Sequence, residues 1–397
     1  MKSEWKTIRA ADFMEFNPRM NLKKGTIATK ISMDKLQPYT KKIPETEQAE
    51  FSGGTKFSNS DTIMARITPC LENGKTAFVD CLNKDEVAFG STEFIVLRAK
   101  PGVSDAQFVY YLATSPEFRQ VAIKSMVGSS GRQRVQQPVL ENLELVVPEL
   151  PKQKRIGGFL AAIDDKIALN AKINDNLEQQ AVALFKSWFV DFSLFGGTVP
   201  ENWEDTTLEN ITTLITRGIA PKYSDNSDQT VVNQKCIRNH TIDLSLARTH
   251  TPKAINEKWL KFGDLLINST GDGTLGRVAQ VWFAPKALTV DSHVTIVRPA
   301  REELIFYIGL WGILHEKEIE SLHTGSTGQT ELPRDRVKML KLLLPDNISL
   351  SRFNSIIAPM ASTIILNQEE NQKLASLRDT LLPKLMSGEI DVSSIQL

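Results

Sequence analysis

The stretch Pro151–Phe192 reads PKQKRIGGFLAAIDDKIALNAKINDNLEQQAVALFKSWFVDF, and its apolar residues fall at helical spacing. Ile156, Leu160, Ile163, Ile167, Asn170, Asn174, Leu177, Ala181, Leu184 and Trp188 step by alternating four and three. Such a pattern is the a/d seam of a coiled coil, here with two asparagines at its middle. Pro148 and Pro151 bracket the start, because proline suits the first turn of a helix and not its interior. The stretch therefore predicts one long helix with a single edge that must be covered.

A cover is encoded 197 residues later. There the same positions read Phe353, Ile357, Met360, Ile364, Asn367, Asn371, Leu374, Arg378, Leu381 and Leu385. Pro345 marks the start of this second helix, Arg378 is the one charged intruder on its seam, and Pro383 lies off the seam where it should kink or finish the helix. Two seams with polar layers at their midpoints pair best antiparallel, since only then do the amides meet while every apolar layer faces another. An amide left facing leucine is penalised by about 1–3 kcal/mol. Asn170, Asn174, Asn367 and Asn371 are accordingly expected to set the register of an antiparallel coiled coil. A helix of about 33 residues is roughly 50 Å long, so the pair should act as a rigid spacer between two globular domains.

The repeat extends beyond the helices. GSSGRQ at Gly128 recurs as GSTGQT at Gly325, and the strand-like LVVP ending at Pro148 recurs as LLLP ending at Pro345, both at an offset of 197. Trp5 matches Trp203 at 198, STEFIVLR at Ser91 matches DSHVTIVR at Asp291 at 200, and Gly74-Lys75 matches Gly276-Arg277 at 202. The drift needs only small insertions in surface loops, where they cost little. An ordered series of matches along the whole chain marks an internal duplication. Each copy joins about 150 residues of mixed strands and short helices to one long helix. The fold class is α+β: residues 1–150 form a first mixed α/β domain, 151–192 a helix, 193–345 a second, similar domain, and 346–397 a second helix and tail. Because Ser387–Leu397 matches Val190–Pro200 at 197, the end of the chain leads back to its beginning. The termini should lie close in space, with pseudo-twofold symmetry between the copies.

Composition bounds the function without choosing it. At 397 residues the chain holds about two or three domains. Lys+Arg and Asp+Glu both number 47, so net charge gives no support to nucleic-acid binding, although a balanced total can hide a local basic patch. Cys70, Cys81 and Cys236 have no metal spacing and suit free thiols in a reducing cytosol. The N-terminal MKSEWKTIRAADF has no apolar signal core, and no run of about 18 apolar residues would span a membrane, so a cytoplasmic protein is expected.

One motif points elsewhere. NSTGDGTLGRVA, Asn268–Ala279, contains G-x-G-x-x-G, with Asp291 about twenty residues on, where a dinucleotide-binding fingerprint wants a carboxylate. That fingerprint needs a helix after the glycines, so that the helix N-terminus meets the pyrophosphate. Here RVAQVWFA follows, alternating and rich in Val and aromatics, which reads as a strand. The first copy, ARITPCLENGKTAFVD, keeps only Gly74 of the three glycines. The match is read as a hairpin turn. The chain has no GxxxxGK[ST], HExxH, GxSxG or [DN]PP[YF], and its five histidines all lie in the second copy, so no catalytic or metal-binding residue is assigned.

Pro151–Phe192 resembles the central conserved region of type I restriction–modification specificity subunits. LRDTLLPKLMSGEIDV from Leu377 is similar to their C-terminal conserved region, and PENWEDTTLENI from Pro200 to the opening of their second target-recognition domain. The resemblance covers essentially the whole chain and includes the two-copy layout. It implies two target-recognition domains that each read one half of a split double-stranded DNA sequence, with the coiled coil setting the gap. It implies a chain without an active site and without a cofactor of its own. Two modification subunits would supply S-adenosylmethionine chemistry at adenine N6, and two motor-nuclease subunits, using ATP and Mg, can join them. It places the chain in a bacterial or archaeal cytoplasm, at the nucleoid. Half-sites about one helical turn apart, some 34 Å, fit two readers on such a spacer. The globular parts differ more than the helices, so the site should be asymmetric.

Base edges are read by Arg, Lys, Asn, Gln and hydroxyls, and phosphates take Lys and Arg. Positions basic in both copies are Arg19 with Arg217, Lys24 with Lys222, and Lys75 with Arg277; these suggest common phosphate contacts. Arg132 and Arg134 stand against Gln329 and Glu331, and such differing positions are better candidates for sequence readout. Zero net charge makes weak binding by the isolated chain the expectation, with partners completing the basic clamp. On the first helix Lys152, Lys154, Arg155, Asp164, Asp165 and Lys166 are expected to be exposed, serving solubility or partner docking. Phe185, Trp188, Phe189 and Phe192 are expected to be core under the second domain, the alternative being part of the interface with a modification subunit. A duplicated coiled-coil scaffold, or a specificity subunit of another DNA-modification or defence system, are the alternative readings.

Overall fold

The computed structural model describes residues 5–129, 131–325 and 330–391. The chain forms two compact units, one of residues 1–170 with 369–397 and the other of 171–368. Both unit boundaries fall inside the long helices, Leu150–Phe189 and Asn347–Met386.

In the first unit, strand Trp5–Arg9 pairs antiparallel with Glu144–Pro148. A four-stranded antiparallel sheet follows the order Met14–Phe16, Phe94–Ala99, Thr62–Ala65, Thr76–Phe78. A second four-stranded sheet, ordered Glu47–Glu50, Ile27–Ile31, Ala88–Gly90, Thr55–Phe57, contains one parallel pair, Ile27–Ile31 with Ala88–Gly90. Asp105 caps helix Ala106–Thr114, its carboxylate accepting from the Phe108 amide, and Ser115 with Pro116 starts the next helix at once. Phe13, Met64, Leu97, Phe108 and Tyr111 form one core with Ile156, Leu160 and Leu385 of the long helices. Gly157 permits the approach: a Cβ there would lie 2.8 Å from the Phe108 backbone nitrogen. The buried Gln153 amide bridges the same junction, donating to the Val103 and Pro148 carbonyls and accepting from the Asp105 amide.

The first and last described segments touch within this unit. A Cβ on Gly388 would meet the Trp5 ring at 2.8 Å, and Lys152 Nζ lies 3.1 Å from Asp391 Oδ1. Lys152 is therefore buried, not exposed as its place in a charged run suggests.

The second unit repeats the plan. Glu204–Thr207 pairs with Lys341–Leu344, and the four-stranded sheet runs Thr212–Arg217, Val294–Pro299, Leu265–Asn268, Val278–Gln280. Thr230–Val232 and Leu288–Val290 supply the corresponding parallel pair. Ile237–Arg238 and Thr241–Ile242 add a short hairpin. Phe185, Trp188 and Phe189 pack with Trp203, Tyr307 and Phe353 as core, with Phe192 against its edge. The GDGTLG stretch joins two antiparallel strands, Leu265–Asn268 and Val278–Gln280, with Gly271, Gly273 and Gly276 all at positive φ. These glycines serve a turn that side chains would strain; no helix follows them. The second long helix runs through Pro383 to Met386 instead of finishing there.

Asp346 anchors the start of that helix. Its carboxylate accepts from the Ile348 and Ser349 amides, the Ser349 hydroxyl and Trp203 Nε1. Partial burial works against the charge, but these four donors outweigh it and hold the carboxyl at about 2.

Two outcomes follow. Gly157→Val should lower stability by about 1–3 kcal/mol, the usual cost of overpacking, seen as a lower unfolding midpoint. Asp346→Ala should cost about 1 kcal/mol at neutral pH, as loss of an N-cap does. Since the folded pKa lies below the unfolded value near 3.9, that difference should persist above about pH 4 and vanish as pH falls through 2, which urea melts across pH would show.

Candidate nucleic-acid interface

Strand register determines which loops meet. In the first unit Phe16 pairs with Leu97, Ala65 with Phe94, and the Ala65 amide bonds to the Lys75 carbonyl. The loops after Phe16, between Ala65 and Thr76, and before Phe94 thus leave one end of one sheet. Residues 133–135 are laced onto that end: the Thr68 amide donates to the Gln133 carbonyl, the Gln133 amide to Thr68 Oγ1, and the Val135 amide to the Arg66 carbonyl. Asn17 Nδ2 donates to Gln137 Oε1 at 2.7 Å, bringing the loop that carries Arg19 to the same place.

The second unit builds the same end. The Gly218 amide bonds to the Val294 carbonyl, Ser269 to His293, Gly276 to Asn268, and Leu332 to Ser269. Asn268 is fully buried, its Nδ2 donating to the Gln234 carbonyl. Thr270 Oγ1 lies 2.7 Å from His293 Nδ1. Burial pushes the Asp291 carboxyl up, opposed by its bond from the His293 amide.

Of the residues singled out by sequence, Arg19, Lys75, Arg132 and Arg134 come to this end in the first unit, and Arg217 and Arg277 in the second. Their states differ. Arg19 and Arg132 are exposed, and Arg277 is half-buried. Lys75 turns inward and donates to the Met33 carbonyl at 2.9 Å. Arg134 grips Glu93 with contacts of 2.7–3.0 Å, and Arg217 pairs with Glu331 at 2.6 Å while donating to the Leu332 carbonyl. Lys24 and Lys222 are exposed but sit elsewhere. Lys24 precedes Ile27–Ile31, whose far end pairs with Gly90 beside the Ser91–Glu93 turn, and Lys222 bonds to Thr251 near the outer end of Thr230–Val232. Gln329 lies outside the described residues. Glu93, Gln234 and Asn268 belong to no motif that singles them out, and the one sequence signal for Glu93 is its offset match with His293.

The long helices have their own polar sites. In the first unit Asn170 Nδ2 donates to Asn371 Oδ1 at 3.0 Å and to Glu370, and Asn371 Nδ2 donates to the Ile167 carbonyl. In the second, Asn367 Nδ2 donates to Asn174 Oδ1 at 2.8 Å, and Asn174 Nδ2 to the Ile364 carbonyl. Each amide pair lies within one unit, between helix segments running antiparallel. Arg378 is no intruder: its Nη1 lies 2.6 Å from Asp164 Oδ1, and Asp164 Oδ2 accepts from the Tyr111 hydroxyl at 2.6 Å. Asp164, expected on the surface, is 5% exposed because this triad ties helix to globular domain. Lys154, Arg155, Asp165 and Lys166 are exposed.

Among the described residues, no cluster of His, Cys, Asp and Glu is disposed to hold a metal ion, and no helix is long and apolar enough to cross a membrane. What the loop ends offer is exposed guanidinium groups beside hydrogen-bonding side chains, a combination suited to phosphates and base edges.

Residues 2–179 match the family model described as the type I restriction modification DNA specificity domain. Relatives include the type I restriction enzyme MjaIX specificity subunit of Methanocaldococcus jannaschii, 26% identical, with 73% of this chain and 70% of the relative aligned. The HindI specificity subunit of Haemophilus influenzae is 22% identical over 84% of this chain and 87% of its own. Among solved structures, the S subunit of a type I restriction–modification system from M. genitalium shares the fold, with a TM-score of 0.57, 16% identity and 96% of each chain covered.

Arg378→Met should destabilise by about 3–5 kcal/mol, because it strands a buried carboxylate. Adding Asp164→Asn should recover much of the loss, a coupling that a double-mutant cycle in denaturant would read.

Proposed function

We propose, from the premise that this chain belongs to the family of type I restriction–modification specificity subunits, that it reads a split, asymmetric sequence in double-stranded DNA and directs the chemistry of partner subunits. The observation that carries this reading is the same loop-bearing sheet end built twice and decorated differently. One copy presents Arg132 and Arg134 beside Glu93, and the other Arg217 and Glu331 beside His293 and the Gly271–Gly276 turn. Two readers of one fold with unlike side chains suit two unlike half-sites. Arg19, Arg132 and Arg277 are the first choice for contacts at these ends, with Gln329 as a readout candidate in the second copy. Lys24 and Lys222, matched in place and exposed in both units, suit a common phosphate contact away from them. Lys75, Arg134 and Arg217 are engaged by the protein itself and act through it.

The chain contributes recognition and not catalysis. Two modification subunits carry S-adenosylmethionine and methylate adenine N6 in each half-site; motor-nuclease subunits using ATP and Mg complete a restriction enzyme. The amide pairs of the long helices fix the register of the helix segments on which each reading domain rests. Such a protein works in the cytoplasm, at the nucleoid.

Mapping N6-methyladenine in genomic DNA from cells that carry this chain with its cognate modification subunit tests the reading, with a deletion of this chain as control. A split motif of fixed gap, lost on deletion, is expected. Methylation that persists unchanged without the chain would refute it.

A further inference from the structure

The base of the loop that follows each unit's short helices is fixed to its sheet in two ways. One is backbone: Val127 pairs with Arg134 and Ile67 with Arg134 in the first unit, as Thr324 with Glu331 and Thr270 with Glu331 do in the second. The other is an ion pair from the residue at the base of the loop, and here the units diverge. At the position 197 residues apart, Arg134 binds Glu93, whereas Glu331 binds Arg217. The polarity is reversed while the place in the fold is kept. The partner also changes side: Glu93 lies in the turn just before strand Phe94–Ala99, and Arg217 ends strand Thr212–Arg217, the neighbour that pairs with Val294–Pro299.

We propose that Arg134–Glu93 and Arg217–Glu331 are positioning clamps that fix the loop base, at Val127 and Arg134 in one unit and at Thr324 and Glu331 in the other, against its sheet for DNA reading, each clamp acting on one half-site. The inference rests on the functional reading above. Four observations carry it. The Arg134 guanidinium meets both carboxylate oxygens of Glu93, a geometry that fixes orientation as well as distance. Arg217 adds a bond of 2.8 Å to the Leu332 carbonyl, so it grips side chain and backbone of the same loop base. Both pairs are partly exposed, with side-chain exposure of 44% and 24% for Arg134 and Glu93. Such pairs add little to global stability, so their service is to geometry. Finally, the reversal makes the loop bases non-interchangeable. Arg134 placed in the second unit would face Arg217, and Glu331 placed in the first would face Glu93. Each loop is matched to its own sheet, and a change of specificity that exchanges one must exchange both.

The test uses the full chain with its cognate modification subunit in cells, and the purified full chain for melting. Variants are Arg134→Glu, Glu93→Arg, their combination, and the corresponding Arg217→Glu, Glu331→Arg and pair. Each single swap in the first unit should cut methylation at the parent motif by about tenfold or more, the scale of one mismatched base pair. Base requirements should relax in one half-site only, while the unfolding midpoint stays unchanged. E93R/R134E should restore occupancy to within a few-fold of the parent. The second-unit swaps should do the same at the other half-site. Single swaps that leave motif and occupancy unchanged would overturn the proposal. So would a reversed pair that folds normally without recovery, since the two side chains would then act separately on DNA. A loss confined to variants with lowered midpoints would assign the pairs to folding instead. If methylation is indifferent to deleting the parent chain, the functional reading itself fails and the clamps fall with it.

Discussion

A side-chain amide buried in an apolar helix seam must be given partners, because desolvating it unpaired costs more than the neighbouring apolar layers can ignore. Asn170 and Asn174 stand in that position, the first fully buried and the second nearly so. One antiparallel register gives each an amide from the other helix, through Asn170–Asn371 and Asn174–Asn367. A slip by one helical turn would keep one amide–amide contact and set the remaining amides against apolar layers such as Leu177 or Ile364. Register in turn fixes which residues of the helices face each globular domain, including Arg378 opposite Asp164 and Phe353 beside Phe185 and Phe189.

That arrangement explains why the compact units do not follow the order of the chain. The first unit takes the opening 170 residues and the closing 29, and the second takes the continuous stretch between. Each globular domain rests on the start of one long helix and the end of the other. Trp5 against Gly388 and Lys152 beside Asp391 close the first unit with residues from opposite ends of the sequence. In the second unit the corresponding tryptophan, Trp203, lies within the chain and bonds to the helix cap Asp346. The same structural place is thus held by contacts of different chemistry, which a duplicated chain tolerates so long as each buried group stays satisfied.

The loop ends follow the same logic. Their backbone lacing is shared, and their side chains are not. A sheet end of antiparallel strands gathers loops that are distant in sequence, so the surface there can vary residue by residue while the strands beneath keep their pairing. Charge at this surface is local and mostly compensated: Arg134 by Glu93, Arg217 by Glu331. An overall net charge of zero is therefore compatible with exposed guanidinium groups at Arg19 and Arg132.

Much of this architecture was legible in the residues alone. Alternating steps of four and three, with asparagines in matching places, determine the helices, their direction and their register, because heptad spacing and amide pairing are periodic and local. The duplication and the glycine turn were readable for a similar reason: an offset match, or a strand pattern after the glycines, needs no coordinates. What only the tertiary structure decided was the state of each charged side chain. Asp164 and Lys152 lie in a charged run that reads as solvent-facing, yet Tyr111, Arg378 and Asp391 reach them from 53, 214 and 239 residues away. Arg134 and Arg217 read as free cations until Glu93 and Glu331 are seen beside them. Burial and ion pairing depend on what folds against a residue, and that partner is set by sheet register and helix packing, which single-residue chemistry does not carry.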